Sequence, residues 1–158
     1  KNTEIKADLY GKDKKSAWLG KMGISLVEKY RKVVREALRE SKHFEEPCYI
    51  DQIADYAKDV TSLGNQAGEG WLLAGEMVEL IKQGAPNIVV IQPFGCLPNH
   101  ITGKGVMKKI RSVYEEANIV AIDYDPGASE VNQVNRVKLM MSSAREKLKE
   151  KEEAKTSI

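Results

Sequence analysis

Two short β-branched runs decide the fold of this chain: Asn87-Ile88-Val89-Val90-Ile91-Gln92 and Asn118-Ile119-Val120-Ala121-Ile122-Asp123. Runs of this length and composition are typical of buried strands. The stretch between them, residues 103–116, carries apolar residues at helical spacing, so the unit is strand, helix, strand and predicts a right-handed parallel crossover. Two strands make a thin sheet. We therefore expect a further strand in an irregular segment, or an edge that pairs with another chain.

Long helices are predicted on both sides of this unit. Apolar residues recur at three- and four-residue intervals over residues 16–41 and again over 129–149, with charges in most gaps. A shorter helix is predicted to open at Glu46-Pro47, and another to follow the glycine-rich loop of residues 63–70. The sequence thus predicts an α/β fold that is richer in helix than in strand.

Length and composition indicate a globular chain. Its 158 residues are 42% hydrophobic and 30% charged, and a chain of this length buries roughly two-thirds of its unfolded surface. We divide it into a helical N-terminal arm of residues 1–46, an α/β part of residues 47–150 and a tail of residues 151–158 that is expected to fray. Because the first residue is not Met, we expect either a single domain of residues 1–158 or a C-terminal fragment of a larger protein.

The charge balance and hydropathy exclude two classes of partner. Lys and Arg number 25 against 23 Asp and Glu, a net charge of +2 that gives no reason to expect nucleic acid or an anionic membrane. No apolar run approaches the roughly 18 residues of a membrane span, and the N-terminus lacks the apolar stretch of a signal peptide. We expect a cytoplasmic protein whose two cysteines are reduced.

Ligands of parallel sheets gather beyond the carboxyl ends of the strands, and both strand exits carry chemically distinctive residues. The first exit, residues 92–100, holds two prolines, a glycine, a cysteine and a histidine, and the second exit, residues 123–129, holds two aspartates and a serine. The side chains expected to form a ligand rim there, called the rim below, are Pro93, Cys96, Asn99, His100, Lys104, Asp123, Asp125 and Ser129.

Cys96 is the most suggestive member of the rim. A thiol near a helix N-terminus and Lys104 would have its thiolate favoured, as both a nucleophile and a metal ligand require. The alternative is a small buried hydrophobic side chain. His100 could be the base of a catalytic cysteine, and zinc would need two more ligands, to which Asp123 or Asp125 could add oxygen. The two aspartates also suit a helix cap and a loop acceptor.

A second candidate loop contains Glu69 and Trp71. Glu69 and Glu76 lie seven residues apart on one helical face beside Trp71, a spacing that suits either an acid/base pair or capping and solvation. The glycines of residues 68–70 and 103–105 lack the partner glycines, or the Ser or Thr, of nucleotide-binding loops. An ATP or NAD site is therefore not expected.

Three arginines form a basic stripe on the first long helix. Arg31, Arg35 and Arg39 are spaced at i, i+4, which could suit a phosphate-bearing partner. Glutamates lie among them, which favours an ordinary solvated helix face.

Three literal stretches of sequence resemble one protein family. Residues 68–77, 92–100 and 123–136 are similar to the C-terminal part of the large fused proteins known as activators of (R)-2-hydroxyglutaryl-CoA dehydratase, or CoA-substrate-specific enzyme activases. Long strings of Pro, Cys, Asn and His in fixed order are more specific than hydrophobic periodicity. The resemblance runs from residue 63 to residue 141, about half of the chain.

The resemblance implies an anaerobic bacterial protein that fuses an ATP-hydrolysing iron-sulfur module to regions similar to 2-hydroxyacyl-CoA dehydratase subunits. Such regions hold a [4Fe-4S] cluster through scattered cysteines, so Cys96 would be a candidate ligand in the full-length parent. The isolated chain has only Cys48 and Cys96 to offer, and we expect no cofactor in it.

The function implied is a contribution to an iron-sulfur or acyl-CoA site in anaerobic radical dehydration. Its expected partners are other domains of the parent chain, the dehydratase subunits and, in a homo-oligomer, further copies. One alternative is a noncatalytic domain that docks the activator to the dehydratase through the helical N-terminal half. Another is a cysteine-dependent enzyme that uses Cys96 and His100.

Overall fold

The computed structural model describes residues 1–11, 14–42 and 44–156, and its fold is α/β and helix-rich, as predicted. The elements in chain order are α1 (Asn2–Tyr10), α2 (Lys14–Leu38), α3 (Ile50–Lys58), α4 (Gly70–Lys82), β1 (Asn87–Pro93), a π-helical turn (Asn99–Gly103), α5 (Met107–Val113), β2 (Asn118–Tyr124) and α6 (Glu130–Thr156). Within the described ranges, no helix is long and apolar enough to cross a membrane.

The two strands form a parallel pair, in register from Asn87 opposite Asn118 to Pro93 opposite Tyr124. Side chains alternate between the two faces of a strand, and Ile88, Val90 and Gln92 form the buried face of β1. This face packs against α4 and α5, while α6 runs along the other face of β2. The sheet contains no further strand in the described part of the chain, so the expectation that an irregular segment supplies one is wrong there.

The main core lies between the sheet and helices α4 and α5. Val78, Ile110 and Ile119 are almost completely buried at its centre. Full burial of one such side chain stabilises the fold by about 1.5–3 kcal/mol. This core fixes the sheet, and with it the strand ends that carry the rim.

A smaller core joins α1, α3 and α4. Ile5, Ala54, Ala57 and Trp71 are buried there. A Cβ on Gly75 would lie 2.5 Å from the carbonyl oxygen of Ile53, so α3 approaches α4 at a distance that only glycine allows. Helix α1 was not predicted because its nine residues show no strong amphipathic pattern.

Helix α2 matches the predicted helix of residues 16–41 in place, but its apolar side is not buried. The large apolar side chains that form this side, called the α2 apolar face below, are 44–70% exposed: Trp18, Leu19, Met22, Leu26, Val27, Tyr30, Val33, Val34 and Leu38. Among the residues described for α2, those that are buried are Ala17 and Arg35. Amphipathic spacing predicted the helix without showing what covers it.

Two predicted helix starts differ from the observed ones. Helix α3 begins at Ile50 rather than at Pro47, because Arg31 Nη2 donates to the carbonyl oxygens of Pro47 and Cys48, each at 3.0 Å, and holds that segment extended. Helix α5 begins at Met107 rather than at Gly103, since the π-helical turn occupies residues 99–103.

At the C-terminal end, α6 continues beyond residue 149. The helix includes residues 151–156 of the tail that we expect to fray, and residues 151–154 are exposed. Ser157 and Ile158 lie outside the described residues, as do Lys12, Asp13 and His43 of the N-terminal arm.

Candidate functional site

The two strand exits lie at the same edge of the sheet, as predicted. The backbone N–H of Phe94 donates to the carbonyl oxygen of Tyr124 at 3.2 Å, which joins the two exits directly. Lys104 Nζ lies 4.0 Å from Asp123 Oδ1, so an ion pair also joins the segment after the π-helical turn to the second exit. The rim residues nevertheless fall into two groups, one around Cys96 and one around Asp125.

The Cys96 group is a tightly hydrogen-bonded loop after β1. The backbone N–H of Cys96 donates to Pro93 O at 3.1 Å, and the backbone N–H of His100 donates to Cys96 O at 3.1 Å. Gly95 provides the left-handed turn between them with φ +68°. Asn99 Nδ2 donates to Cys96 Sγ at 3.0 Å. The loop therefore holds a half-buried thiol with a hydrogen-bond donor aimed at its sulfur.

The expected partners of a catalytic Cys96 are engaged elsewhere. His100 Nε2 lies 3.2 Å from Pro93 O, and since a carbonyl oxygen only accepts, this ring nitrogen must carry the proton. Lys104 pairs with Asp123 rather than with the thiol. The contacts of these two side chains do not support the arrangement of a cysteine-dependent enzyme.

The Asp125 group lines a cavity of about 570 Å³ between the end of β2 and the first turns of α6. Asp123, Asp125, Ser129 and Arg136 are among its lining residues. Asp125 Oδ1 accepts from the backbone N–H of Gly127 at 2.8 Å, so this carboxylate closes a turn before α6. Of the roles suggested for Asp125, the loop acceptor is the one that the structure has.

Gln92 is a polar residue of this edge that the sequence reasoning missed. Its side chain is 1% exposed, and neither its amide oxygen nor its amide nitrogen has a hydrogen-bond partner among the described residues. It pairs in register with Asp123. The available signal was alternation, because residues 88, 90 and 92 share the buried face of a strand and a glutamine there is a buried polar group.

The Glu69 and Trp71 loop does not join the rim through side-chain contacts. Trp71 is buried in the smaller core, where its Nε1 donates to Asn2 Oδ1 at 2.7 Å. Glu69 is exposed at the start of α4, and its side chain makes no capping hydrogen bond. Partial desolvation raises the pKa of Glu76, and the charges of Glu79 and Glu69 raise it further. The backbone of this segment does reach the rim loop, since a Cβ on Gly68 would lie 2.8 Å from Pro98 Cγ.

The basic stripe of α2 serves the fold. Arg31 binds the carbonyl groups of residues 47 and 48, and the Arg35 guanidinium lies 4.9 Å from the centre of the Tyr49 ring. Arg35 and Arg39 both pair with Glu46. These contacts fasten the segment before α3 to α2 rather than leaving a free anion site.

The described residues do not fit a complete iron-sulfur site. Within residues 1–11, 14–42 and 44–156, no group of three or more His, Cys, Asp and Glu side chains is placed to hold a metal ion. Cys48 binds the C-terminal half of α4, where Glu79 Oε1 accepts from its backbone N–H at 2.7 Å, whereas Cys96 belongs to the strand exit.

Comparison with known proteins adds no assignment to this geometry. The chain matches no protein-family model, no curated protein and no solved structure.

Proposed function

We propose that this chain is an α/β module of a protein related to the activators of (R)-2-hydroxyglutaryl-CoA dehydratase, and that its rim forms part of an iron-sulfur or acyl-CoA site in anaerobic radical dehydration. The observation that carries the proposal is the environment of the Cys96 thiol. Its sulfur accepts a hydrogen bond from Asn99 Nδ2 at 3.0 Å, and it lies at the edge of the parallel sheet where ligands usually bind. Other segments of the parent protein would supply the remaining ligands.

The loop suits a thiolate ligand for two reasons. Its backbone is fixed by the ring of Pro93 and by the hydrogen bonds of residues 93, 96 and 100, so little conformational entropy would be lost when Cys96 binds. An N–H donor aimed at the sulfur stabilises negative charge there, and hydrogen bonds of this kind tune cluster potentials.

The polar groups next to the loop suit a ligand that is itself polar. The buried amide of Gln92 offers a donor and an acceptor that no described residue engages, and a buried polar group without a partner costs about 1–3 kcal/mol. Lys104 and Asp123 add a charge of each sign at the same edge. The phosphates of an acyl-CoA would match Lys104.

The experiment uses the full-length parent protein, reconstituted anaerobically with iron and sulfide. Cys96→Ser should lower the bound iron, whereas Cys48→Ser is the matched control, because Cys48 lies apart from the rim and should leave the iron content unchanged. Equal iron content and equal cluster spectra in the two variants would remove Cys96 as a ligand.

A second candidate function is favoured by the α2 apolar face. Monomeric proteins rarely expose a large contiguous apolar patch unless it serves as an interaction surface, and nine large exposed side chains form the α2 apolar face. A domain that docks the activator to its dehydratase subunits would use such a face. The test is binding of the parent protein to those subunits: Leu26→Lys together with Val33→Lys should weaken it, and Leu139→Lys on α6 should not. Unchanged binding by the double variant would reject this function.

A further inference from the structure

The two outer edges of the sheet differ in whether side chains occupy their backbone groups. The backbone N–H of Phe94 donates to Tyr124 O, and the backbone N–H of Asn118 donates to Pro86 O. Because backbone groups alternate in direction along a strand, even-numbered residues of both strands face the partner strand. Odd-numbered residues therefore face outward, on β1 as on β2.

The outer edge of β2 is closed by side chains. Arg111 Nη2 donates to the carbonyl oxygen of Ile119, Arg136 Nη1 donates to that of Ala121 at 2.8 Å, and Gln133 Nε2 donates to that of Asp123 at 2.9 Å. These three carbonyl groups are the outward-facing ones of β2, from its second residue to its sixth. Side chains that occupy edge carbonyls prevent another strand from pairing there.

The outer edge of β1 has no such closure among the described residues. The outward-facing backbone groups of Asn87, Val89 and Ile91 receive no side chain, and this edge carries no charged residue. The Val89 and Ile91 side chains lie on the sheet face along which α6 packs against β2, and they are still 39% and 53% exposed. A long, uncharged, apolar edge of this kind is a template for another strand.

We propose that β1 pairs with β1 of a second copy of this chain, antiparallel, about a two-fold axis at Val89. In this register Val89 lies opposite Val89 of the second copy, and Asn87 lies opposite Ile91, so every outward N–H and C=O of these residues finds a partner. The result is a four-stranded sheet with both outer edges closed by arginine and glutamine side chains. This inference is independent of the proposed iron-sulfur role.

Self-complementarity favours a second copy over a foreign strand. The three outward-facing residues that keep both backbone groups are centred on Val89, which is the condition for an isologous contact. Pro93 has no N–H, and its carbonyl oxygen already accepts from Cys96 and His100, but it lies outside the paired stretch. On this face the exposed Val89 and Ile91 side chains of the two copies would cover one another.

Sedimentation equilibrium of the 158-residue chain tests the pairing. The chain has a mass of 17.7 kDa, and we expect a dimer of twice that mass. Val89→Lys and Val89→Glu each place like charges across the two-fold axis and should weaken dimerisation by about tenfold or more. A mixture of the two variants should dimerise again, since the charges are then opposite. Val33→Lys on the α2 apolar face is the matched control and should stay dimeric.

Several results would overturn the pairing. One is a monomeric state of the unsubstituted 158-residue chain. The others are a dimer that survives Val89→Lys, a mixture of the two Val89 variants that does not dimerise, and loss of the dimer in Val33→Lys. Hydrogen exchange gives a readout on the unsubstituted chain. The amides of Val89 and Ile91 should be protected in the dimer, whereas fast exchange at both would also reject the proposal.

Discussion

Asn99 donates a hydrogen bond from Nδ2 to Cys96 Sγ at 3.0 Å, three residues back along the same loop. Asn99 is buried and Cys96 is half-buried. Because the loop backbone is itself hydrogen-bonded to Pro93, this contact fixes both the position of the sulfur and the electrostatic environment around it.

Asn99→Asp should make Cys96 less reactive. The change removes the N–H donor and places a carboxylate beside the sulfur, and both effects disfavour the thiolate that reacts with alkylating reagents. We expect iodoacetamide to react with Cys96 about tenfold more slowly at neutral pH, measured in a Cys48→Ser background. Asn132→Asp, the same change on α6, is the control. An unaltered or faster rate in Asn99→Asp would contradict the contact.

Glu79→Ala should destabilise the fold. The buried Glu79 carboxylate accepts from the backbone N–H of Cys48 at 2.7 Å and joins the segment before α3 to α4. Loss of this acceptor leaves a part-buried N–H unpaired, at a cost of about 1–3 kcal/mol in the free energy of unfolding. Glu76→Ala, on the exposed side of the same helix, should change it by less than about 0.5 kcal/mol. Urea denaturation measures both, and equal effects would refute the assigned role of Glu79.

Cys48 should ionise at a higher pH than a cysteine in a short peptide. Burial raises the pKa of its thiol, and the hydrogen bond and charge of Glu79 raise it further. In a Cys96→Ser variant, the alkylation rate of Cys48 should therefore begin to rise at a higher pH than the rate of a peptide with the same local sequence. If the pH–rate curve of Cys48 coincides with that of the peptide, or lies at lower pH, the thiol is not in this environment.

Gly75→Ala tests the close packing of α3 on α4. A Cβ there would lie 2.5 Å from Ile53 O and 2.6 Å from Ile53 Cγ2, so the helices must separate. We expect a loss of about 1–3 kcal/mol in the free energy of unfolding. At Gly105 a Cβ meets nothing within 4 Å, and Gly105→Ala should be neutral or stabilise by up to about 1 kcal/mol. Similar losses in the two variants would contradict the packing.

The sequence predicts the central part of the fold because its pattern is local. The β-branched runs at residues 87–92 and 118–123 give both strands and their parallel pairing, and each strand extends one residue further. Helix α1 has no comparable pattern. Its position depends instead on a tertiary contact, in which Trp71 Nε1 donates to Asn2 Oδ1. The exposure of the α2 apolar face could not be predicted either. Hydrophobic periodicity shows which side of a helix is apolar, but it does not show which element, if any, packs against that side.

The sequence predicted where the rim lies, but it did not predict which side chains contact one another there. Chain order alone brings residues 92–100 and 123–129 to one edge of a parallel sheet. It does not reveal that Lys104 pairs with Asp123 or that His100 binds Pro93. The π-helical turn sets those directions, and its sequence has no turn signal distinct from that of an ordinary helix start. Gln92 could have been found, since alternation places it on the buried face.

The measurement that tests the central claim most directly is an anomalous-difference map at the iron absorption edge, from anaerobic crystals of the full-length parent protein. Our account predicts an iron peak within bonding distance of Cys96 Sγ, with Asn99 Nδ2 still donating to that sulfur. A fully occupied cluster elsewhere in the protein, with no iron at Cys96, would contradict it.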